Sequence, residues 1–244
     1  MNSEQTFLIK KHAQNLGFFA CGIAKAGELS DDKIHFENYL QRGDFGEMNY
    51  LAHNPEKRLN PTLILENAKS VIVVLYDYSH HDIKETPEGK IAKYAIGEGY
   101  HDVIKSKLVK LEDEIFKIFP DSTMCSIVAT PPIFQKAWAI KAGLGFRGKN
   151  TLLINPKIGS YCNIGVILLD QELAYDTPLD IKCHDNCLLC IEHCPTNALE
   201  KPYQLNAKKC IAYYNTGKTR STTIDLHGWA KGCDDCQICC PYNA

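Results

Sequence analysis

The distribution of cysteines constrains this chain more than any other feature of its sequence. Nine of the twelve cysteines lie in the last 62 residues, from Cys183 onward. In a reducing compartment, such a dense group indicates metal ligation or redox chemistry rather than disulfides. The remaining three, Cys21, Cys125 and Cys162, lie in apolar stretches, where they are expected to be small buried side chains. The sequence therefore predicts two parts with different chemistry.

Composition is typical of a soluble globular protein. The 244 residues are 45% hydrophobic and 23% charged, with a net charge of −2 from interspersed charges, so neither disorder nor a basic surface for nucleic acid is indicated. The longest uncharged apolar run, Ser70–Tyr76, is far shorter than the ~20 residues of a membrane helix. The N-terminus lacks the charged-then-apolar order of a secretory signal. We expect a cytoplasmic monomer with no membrane partner.

The first domain, predicted over residues 1–176, alternates helical and strand patterns. Ser70–Tyr76 is a β-branched run typical of a strand buried on both faces. Apolar residues between Val103 and Phe119 recur every three or four positions, as in an amphipathic helix. Other helices are predicted at 3–16, 30–42 (with Ser30 as N-cap and Gly43 at its end) and 133–141, and other strands at 18–24, 125–129, 151–154 and 164–169. These elements predict an α+β or α/β fold with a mixed sheet.

The second domain, predicted over residues 177–244, is organised by its cysteines. Its predicted helices, at 194–199 and 207–214, are short, and no strand of core length appears. A segment with so little apolar patterning needs a metal centre in place of a hydrophobic core.

The first cysteine run of this domain resembles the bacterial ferredoxin pattern C-x2-C-x2-C-x3-C-P. Cys187, Cys190 and Cys194, followed by Pro195, match the last three cysteines of that pattern. Cys183 supplies the first position, one residue further away than the pattern expects. The run therefore predicts ligands of an iron–sulfur cluster.

The second run repeats this arrangement and predicts a second cluster. Cys233, Cys236 and Cys240 have the same spacing, Pro241 follows, and Cys210 precedes them. In two-cluster ferredoxins the last cysteine of each run ligates the other cluster. We therefore predict two [4Fe–4S] clusters that transfer electrons from one to the other. The predicted ligands are Cys183, Cys187, Cys190 and Cys240 for the first cluster and Cys194, Cys210, Cys233 and Cys236 for the second.

Zinc is the alternative to these clusters. Zinc sites usually combine two short CxxC or CxxH motifs that lie apart in the sequence, and a third closely spaced cysteine followed by proline fits that pattern poorly. The ninth cysteine of the domain, Cys239, lies beside Cys240. We expect it to be a bystander rather than a ligand.

A glycine-rich segment between Gly143 and Gly148 matches the dinucleotide fingerprint G-x-G-x-x-G. That fingerprint must follow a strand and open a helix. Here the predicted helix precedes the glycines and the predicted strand follows them, so no dinucleotide site is expected. The segment is interpreted instead as a loop whose backbone can closely approach a large flat ligand.

Several motifs along the chain resemble one enzyme family. They are GEMNYL at 46–51 leading to Arg58, YAIGEGYH at 94–101, AWA at 137–139 with AGLGFRGKNTLLI at 142–154, and GCDDCQ at 232–237. In this order they resemble epoxyqueuosine reductase, a cobalamin-dependent iron–sulfur reductase of tRNA queuosine synthesis that is related to reductive dehalogenases. The resemblance covers nearly the whole chain.

The resemblance implies a fold, cofactors and partners. A base-off cobalamin is expected between a nitroreductase-like α/β domain and a ferredoxin-like domain, with the clusters reducing the cobalt and the reduced corrin removing an epoxide oxygen. Expected partners are a tRNA or a smaller substrate and a low-potential electron donor. The residues expected to contact cobalamin are Arg58, Tyr94, Lys149, Asn150, Leu153, Ile164 and Asp234.

The chain departs from the family pattern where the proton donor is expected. The family has V-D-T-A-P-V-L-E, whereas residues 128–135 read VATPPIFQ, so Ala129 replaces the acidic proton donor and Gln135 the glutamate. Tyr100 and His101 are the candidate replacements. Arg147 stands where an apolar residue is expected. Many members of the family also carry a helical-repeat tail that binds tRNA, beyond the position equivalent to Pro241. These departures suggest a paralogue with another substrate.

Two other functions fit the same residues. The chain could be a corrin-binding carrier or cobalamin reductase without epoxide chemistry. It could also be an electron-transfer protein whose first domain binds a flavin or a partner, although about 60 residues suffice for two clusters alone.

Overall fold

The computed structural model describes residues 2–128, 132–216 and 224–243. The α-helices are α1 Ser3–Asn15, α2 Ser30–Arg42, α3 Pro55–Leu59, α4 Tyr100–Ile118, α5 Gln135–Lys141, α6 Leu189–Glu192, α7 Ile211–Thr216 and α8 Asp235–Ile238. The strands are β1 Ala20–Lys25, β2 Ser70–Asp77, β3 Lys84–Thr86, β4 Gly89–Ile91, β5 Met124–Ile127, β6 Phe146–Arg147, β7 Leu153–Ile154, β8 Cys162–Leu169 and β9 Trp229–Lys231. Within the described ranges, no helix is both long and apolar enough to cross a bilayer.

The central sheet has the strand order β1-β2-β8-β5, and each neighbouring pair is antiparallel. Ile72, in the middle of β2, lies opposite Ile23 on one side and Ile167 on the other. The predicted combination of helices and sheet is confirmed, but the prediction of a mixed central sheet is wrong. Periodicity identifies strands, yet it carries no information on the direction in which each one runs.

Two hydrophobic cores, one on each face of the central sheet, make this domain a three-layer sandwich. Val71 and Val73 of β2 point to the face covered by α2 and α5, where Trp138 is fully buried. Ile72 and Val74 point to the opposite face, covered by α1 and α4. Successive side chains of a strand alternate between faces, so a continuous apolar run fits a strand with helices on both sides. The predicted burial of this strand on both faces is confirmed.

The ends of α2 show how local sequence sets helix boundaries. Gly43 ends the helix in the left-handed conformation, with φ 62°, as glycine readily does. The prediction of Ser30 as N-cap is wrong by one position, because Ser30 is the first helical residue. Leu29 occupies the cap, makes no side-chain capping bond, and donates its amide to the Leu59 carbonyl.

The C-terminal segment is attached to the first domain by a strand. β9 pairs in parallel with β4, opposite Lys90, and completes the order β3-β4-β9. The helix predicted at 194–199 is not formed, because the Cys194 thiol accepts the Ala198 amide at 3.2 Å and the chain turns there instead. The predicted helix at 207–214 is divided into the 3-10 turn Ala207–Lys209 and α7.

Candidate functional site

Four cysteines from the two sequence runs surround one cavity of about 260 Å³. Burial, and then the neighbouring thiols of Cys239, Cys183, Cys187 and Cys240, raise the pKa of Cys190 to about 11. The cavity is lined by Lys149, Asn150, Ile154, Cys183, His184, Cys187, Leu189, Cys190, Cys240, Pro241 and Tyr242. Because thiols so close together resist ionisation, a cation between them is needed to hold them as thiolates.

The other four predicted ligands form a second group. Burial raises the pKa of Cys236 well above its ordinary value, and Cys210, Cys233, Cys194 and Cys190 raise it further. The two groups are therefore adjacent, with Cys190 of the first group close to Cys236. The short helices α6 and α8, which contact one another, carry the two runs side by side.

The thiols are brought together in the crossed arrangement predicted from the sequence. Cys240 of the second run joins Cys183 and Cys187 of the first, and Cys194 of the first run lies with Cys210. Among the described residues, no group of three or more His, Cys, Asp or Glu side chains forms a site for a single metal ion. A [4Fe–4S] cube holds its four thiolates around a core of eight atoms, so its ligands stand further apart than those of one ion. The donor set fits such cubes, and ligation by these cysteines stays a prediction.

Lys149 holds the backbone of the first cysteine loop. Its Nζ donates to the carbonyl oxygens of His184, Asp185 and Cys187 at 2.9, 2.6 and 2.9 Å. The side chain is almost fully buried. All three ammonium donors are therefore engaged with the loop that carries Cys187.

Asn150 makes the corresponding contact with the second cysteine run. Its Nδ2 donates to the Cys236 carbonyl at 3.1 Å, and its Oδ1 accepts the Leu152 amide. Both Lys149 and Asn150 were predicted from the family resemblance to contact cobalamin. Their side chains instead hold the two cysteine loops, and any contact with a corrin stays a prediction.

Asp234 is fully buried between the two parts of the chain. Its carboxylate accepts the backbone amide of Lys93 at 2.7 Å and the Gln237 side-chain amide at 2.8 Å. Burial raises the pKa of Asp234, and the Lys93 amide opposes that rise. The residue ties the loop that carries Cys233 to the 3-10 turn that carries Tyr94.

Aromatic side chains cluster beside Asp234. The rings of Tyr94 and Tyr100 meet edge-on at 6.2 Å, and the His101 ring lies 3.9 Å from Tyr100. Burial, followed by Tyr100 and Asp234, raises the pKa of Tyr94 to about 12, and burial also raises the pKa of Tyr100. The structure therefore brings both candidate proton donors next to Tyr94, one of the residues predicted to contact cobalamin.

Arg58 has an unused donor inside the protein. The residue is 9% exposed, and its guanidinium donates one hydrogen bond to the Tyr50 carbonyl at 2.7 Å. Its Nε, like Trp138 Nε1, is buried without a hydrogen-bond partner among the described residues. Burial lowers the pKa of Arg58. A buried donor without a partner is costly, so this position fits a ligand that carries an acceptor.

The remaining predicted site residues lie in or beside the hydrophobic core. Leu153 is buried in β7, and Ile164 of β8 packs against the same core while its carbonyl accepts Gln135 Nε2 at 3.3 Å. Arg147, which departs from the family pattern, pairs with Asp32 at 2.6 Å. Ala129 lies outside the described residues.

The glycine-rich loop closely approaches two other segments of the protein, and its predicted approach to a flat ligand stays a prediction. A Cβ on Gly143 would stand 2.5 Å from the Thr177 carbonyl oxygen, and one on Gly145 would stand 2.4 Å from that of Ile154. The predicted helix before the loop is confirmed as α5, and the strand predicted at 151–154 is shortened to β7; the two-residue strand β6, which the sequence does not predict, lies within the loop. The close approach that glycine allows here is used to pack the β6–β7 hairpin and the start of the cysteine-rich segment.

Two residues near Asp234, Lys93 and Tyr161, are not predicted from the sequence. Lys93 Nζ lies 4.7 Å from the centre of the Tyr161 ring and donates to the Ser79 carbonyl. The Tyr161 ring lies 5.9 Å from that of Tyr78. No local pattern marks these side chains, because the two contacts of the Tyr161 ring join segments 68 and 83 residues apart.

Comparisons with known proteins agree with this geometry. A family model described as "Epoxyqueuosine reductase QueG, DUF1730" matches residues 58–129, and one described as "4Fe-4S double cluster binding domain" matches residues 182–243. The chain is 38% identical to the epoxyqueuosine reductase of Cellulophaga algicola, over 97% of this chain and 78% of that protein. It is 35% identical to that of Pseudomonas aeruginosa, over 96% and 68%.

Solved structures give the same result. Epoxyqueuosine reductase from Streptococcus thermophilus superimposes with a TM-score of 0.88 at 30% identity, covering all of this chain and 66% of that one. A second epoxyqueuosine reductase, solved with an epoxyqueuosine-modified tRNA stem loop, superimposes with a TM-score of 0.86 at 30% identity, covering 96% and 64%. The chain thus spans about two thirds of the length of these solved structures. It belongs to the epoxyqueuosine reductase family, the oxidoreductases of tRNA queuosine biosynthesis, and carries that family's double-cluster domain.

Proposed function

We propose that this chain is a cobalamin-dependent reductase that removes the epoxide oxygen of epoxyqueuosine or of a related substrate. The observation that carries the proposal is the pair of four-cysteine groups next to the buried Asp234, whose carboxylate accepts the Lys93 amide in the turn that carries Tyr94. Removal of an epoxide oxygen as water consumes two electrons and two protons, and two one-electron clusters can deliver those electrons.

Cobalamin is proposed on fold and on one feature of this chain. A reductive dehalogenase whose structure suggests a mechanism for B12-dependent dehalogenation shares the fold, with a TM-score of 0.63 at 18% identity. The buried, unpartnered Nε of Arg58 fits the acceptor groups that surround a corrin. When bound, cobalamin supplies low-potential cobalt chemistry. This chain binds and orients the substrate, excludes water and delivers the proton.

The proton that the departing epoxide oxygen receives comes from a residue other than residue 129, the position of the family's acidic donor. Ala129 has no acid, whereas in the Bacillus subtilis enzyme a catalytic loop bearing an aspartate swings out of the active site. Tyr100 and His101 lie together beside Tyr94, so we assign the proton transfer to this pair. The Tyr100 hydroxyl, like that of any tyrosine of ordinary or raised pKa, carries its proton at neutral pH.

We further propose a monomeric cytoplasmic enzyme that accepts electrons from a low-potential donor. A tRNA is the proposed substrate carrier, as in the relative solved with a tRNA stem loop. A smaller substrate is the alternative that the departures at Ala129 and Arg147 keep open.

Anaerobic reconstitution with added cobalamin tests the cofactor proposal. We expect about eight irons and eight sulfides per chain, and a visible spectrum of base-off cobalamin that Arg58→Gln weakens. Lys57→Gln is the control, because it changes the neighbouring cation and leaves Arg58 in place. Two zinc ions without acid-labile sulfide would contradict the proposal. Eight irons without cobalamin binding would favour the electron-transfer alternative.

Substitution of Ala129 tests the proton source. The wild-type protein is expected to reduce epoxyqueuosine-modified tRNA slowly, and Ala129→Asp is expected to accelerate it, because a general acid contributes about 10²–10⁴-fold. Single-turnover reduction of the modified stem loop measures both, with Ala129→Asn as the non-acidic control. Wild-type turnover equal to that of aspartate-bearing relatives would contradict the slow turnover expected without an acid at position 129, and with it the proposed change of substrate.

A further inference from the structure

Lys149 is a buried cation facing the first group of thiols. Its side chain is 6% exposed and lines the cavity that Cys183, Cys187, Cys190 and Cys240 surround. All of its hydrogen bonds go to uncharged carbonyl oxygens. One of these carbonyls belongs to Asp185, but the carboxylate of that residue is exposed and pairs with Lys182 at 2.8 Å.

Such a buried ammonium needs a counter-charge. Within the ranges that the structure describes, no carboxylate forms an ion pair with Lys149, and burial of an unpaired charge is costly. The four thiolates of the cavity would supply the missing charge. An oxidised [4Fe–4S] core of charge 2+ with four thiolates has a net charge of 2−, and one-electron reduction makes it 3−.

The second group of thiols has the opposite electrostatic environment. The Cys233 thiol lies 3.4 Å from the Asp235 carboxylate, and Asp235 also accepts a hydrogen bond from Trp229 at 3.0 Å. The contact from the first domain to this group is the neutral Asn150 amide on the Cys236 carbonyl. A cation thus adjoins one group and an anion the other.

We propose that Lys149 is a positioning residue that raises the reduction potential of the first cluster above that of the second. A nearby positive charge stabilises the more negative reduced state, whereas the Asp235 carboxylate opposes reduction of the second cluster. The first electron then resides on the first cluster, and the second cluster, next to Asp234 and Tyr94, is the stronger reductant. This inference rests on the proposed function, since it requires a cluster in each group.

A redox titration of the reconstituted protein followed by EPR tests the inference. Two reduction waves are expected, and Lys149→Gln should lower the midpoint potential of the higher one by 59 mV or more. For a one-electron step this corresponds to a tenfold or greater change in the equilibrium constant of reduction. The lower wave is an internal reference and should stay in place. Lys107→Gln is the matched control, because Lys107 also donates to a backbone carbonyl, that of Leu16, and lies far in sequence from the two groups of predicted ligands.

The outcomes separate this inference from the proposed function. An iron content near eight with an unchanged higher wave, or with a shift of the lower wave alone, would overturn the inference and leave the proposed function standing. Wild-type protein without clusters would overturn both. If Lys149→Gln does not retain the first cluster, Lys149→Arg tests the role of the charge. An assembled cluster at the wild-type potential supports that role, and failure to assemble contradicts it.

Discussion

At the scale of single residues, two adjacent cysteines have different surroundings. Burial raises the pKa of Cys240, and Cys183 and Cys187 raise it further, which places this thiol within the first group. The Cys239 thiol donates to the Asp235 carbonyl at 3.4 Å, inside its own helical turn. The Cys239 thiol also lies close to Cys190 and Cys187, but it does not line the cavity that Cys240 lines. Cys240 is thus the fourth ligand that the geometry favours.

Substitution of each of these cysteines distinguishes a ligand from a bystander. Cys239→Ser should retain about eight irons after anaerobic reconstitution, because only a hydrogen bond to a carbonyl is altered. Cys240→Ser should lose the first cluster, about four irons, because a serine hydroxyl is a much poorer ligand. Iron analysis together with EPR measures both. Equal losses in the two variants would contradict the assignment of Cys240 alone.

At the scale of secondary-structure elements, the parallel pair β4–β9 connects sequence-distant segments. Lys90 pairs with Trp229, whose ring is fully buried and lies under the Lys90 ammonium at 4.7 Å. Gly89, at φ 123°, lies where a Cβ would stand 2.5 Å from the Gly228 carbonyl oxygen. The pairing therefore requires glycine at the first position of β4.

Gly89→Ala should destabilise the protein through this strand pair. The added methyl group must displace the backbone of Gly228, and such overpacking typically costs about 1–3 kcal/mol in addition to the backbone strain at positive φ. Gly97→Ala is the control: its φ of 82° is also left-handed, but the nearest atom to its Cβ is 3.8 Å away. The control should cost only about 1–2 kcal/mol of backbone strain. Anaerobic urea unfolding of the reconstituted proteins compares them, and equal losses would show that the strand pair contributes nothing.

At the scale of the whole molecule, the cysteine-rich segment depends on the first domain and on its clusters. The buried apolar cluster between them contains Ala92, Ile211 and Trp229, whereas each face of the central sheet carries a far larger one. Polar contacts supplement it: Ser160 Oγ donates to Gln237 Oε1 at 2.9 Å. So small a core cannot hold the segment by hydrophobic burial alone, which agrees with metal centres as its organising element.

The sequence alone determined the features that depend on residues close in the chain. The crossed sets of cysteines follow from spacings of two and three residues, and the thiols are brought together in those sets. The buried strand around Val73 and the end of α2 at Gly43 follow from periodicity and from glycine's access to positive φ. The family motifs, which cover nearly all of the chain, identified the fold and the family.

Only the tertiary structure decided how distant segments use their side chains. The family resemblance predicts that Lys149 and Asn150 contact cobalamin, and the folded chain shows in addition that their side chains bind the carbonyls of the cysteine loops. The antiparallel direction of the central strands, the pairing of Arg147 with Asp32 and the contact of Asp234 with Lys93 likewise left no local signal. Each depends on segments separated by tens of residues or more, and hydrophobic periodicity reports only which face of an element is buried, not what it meets there.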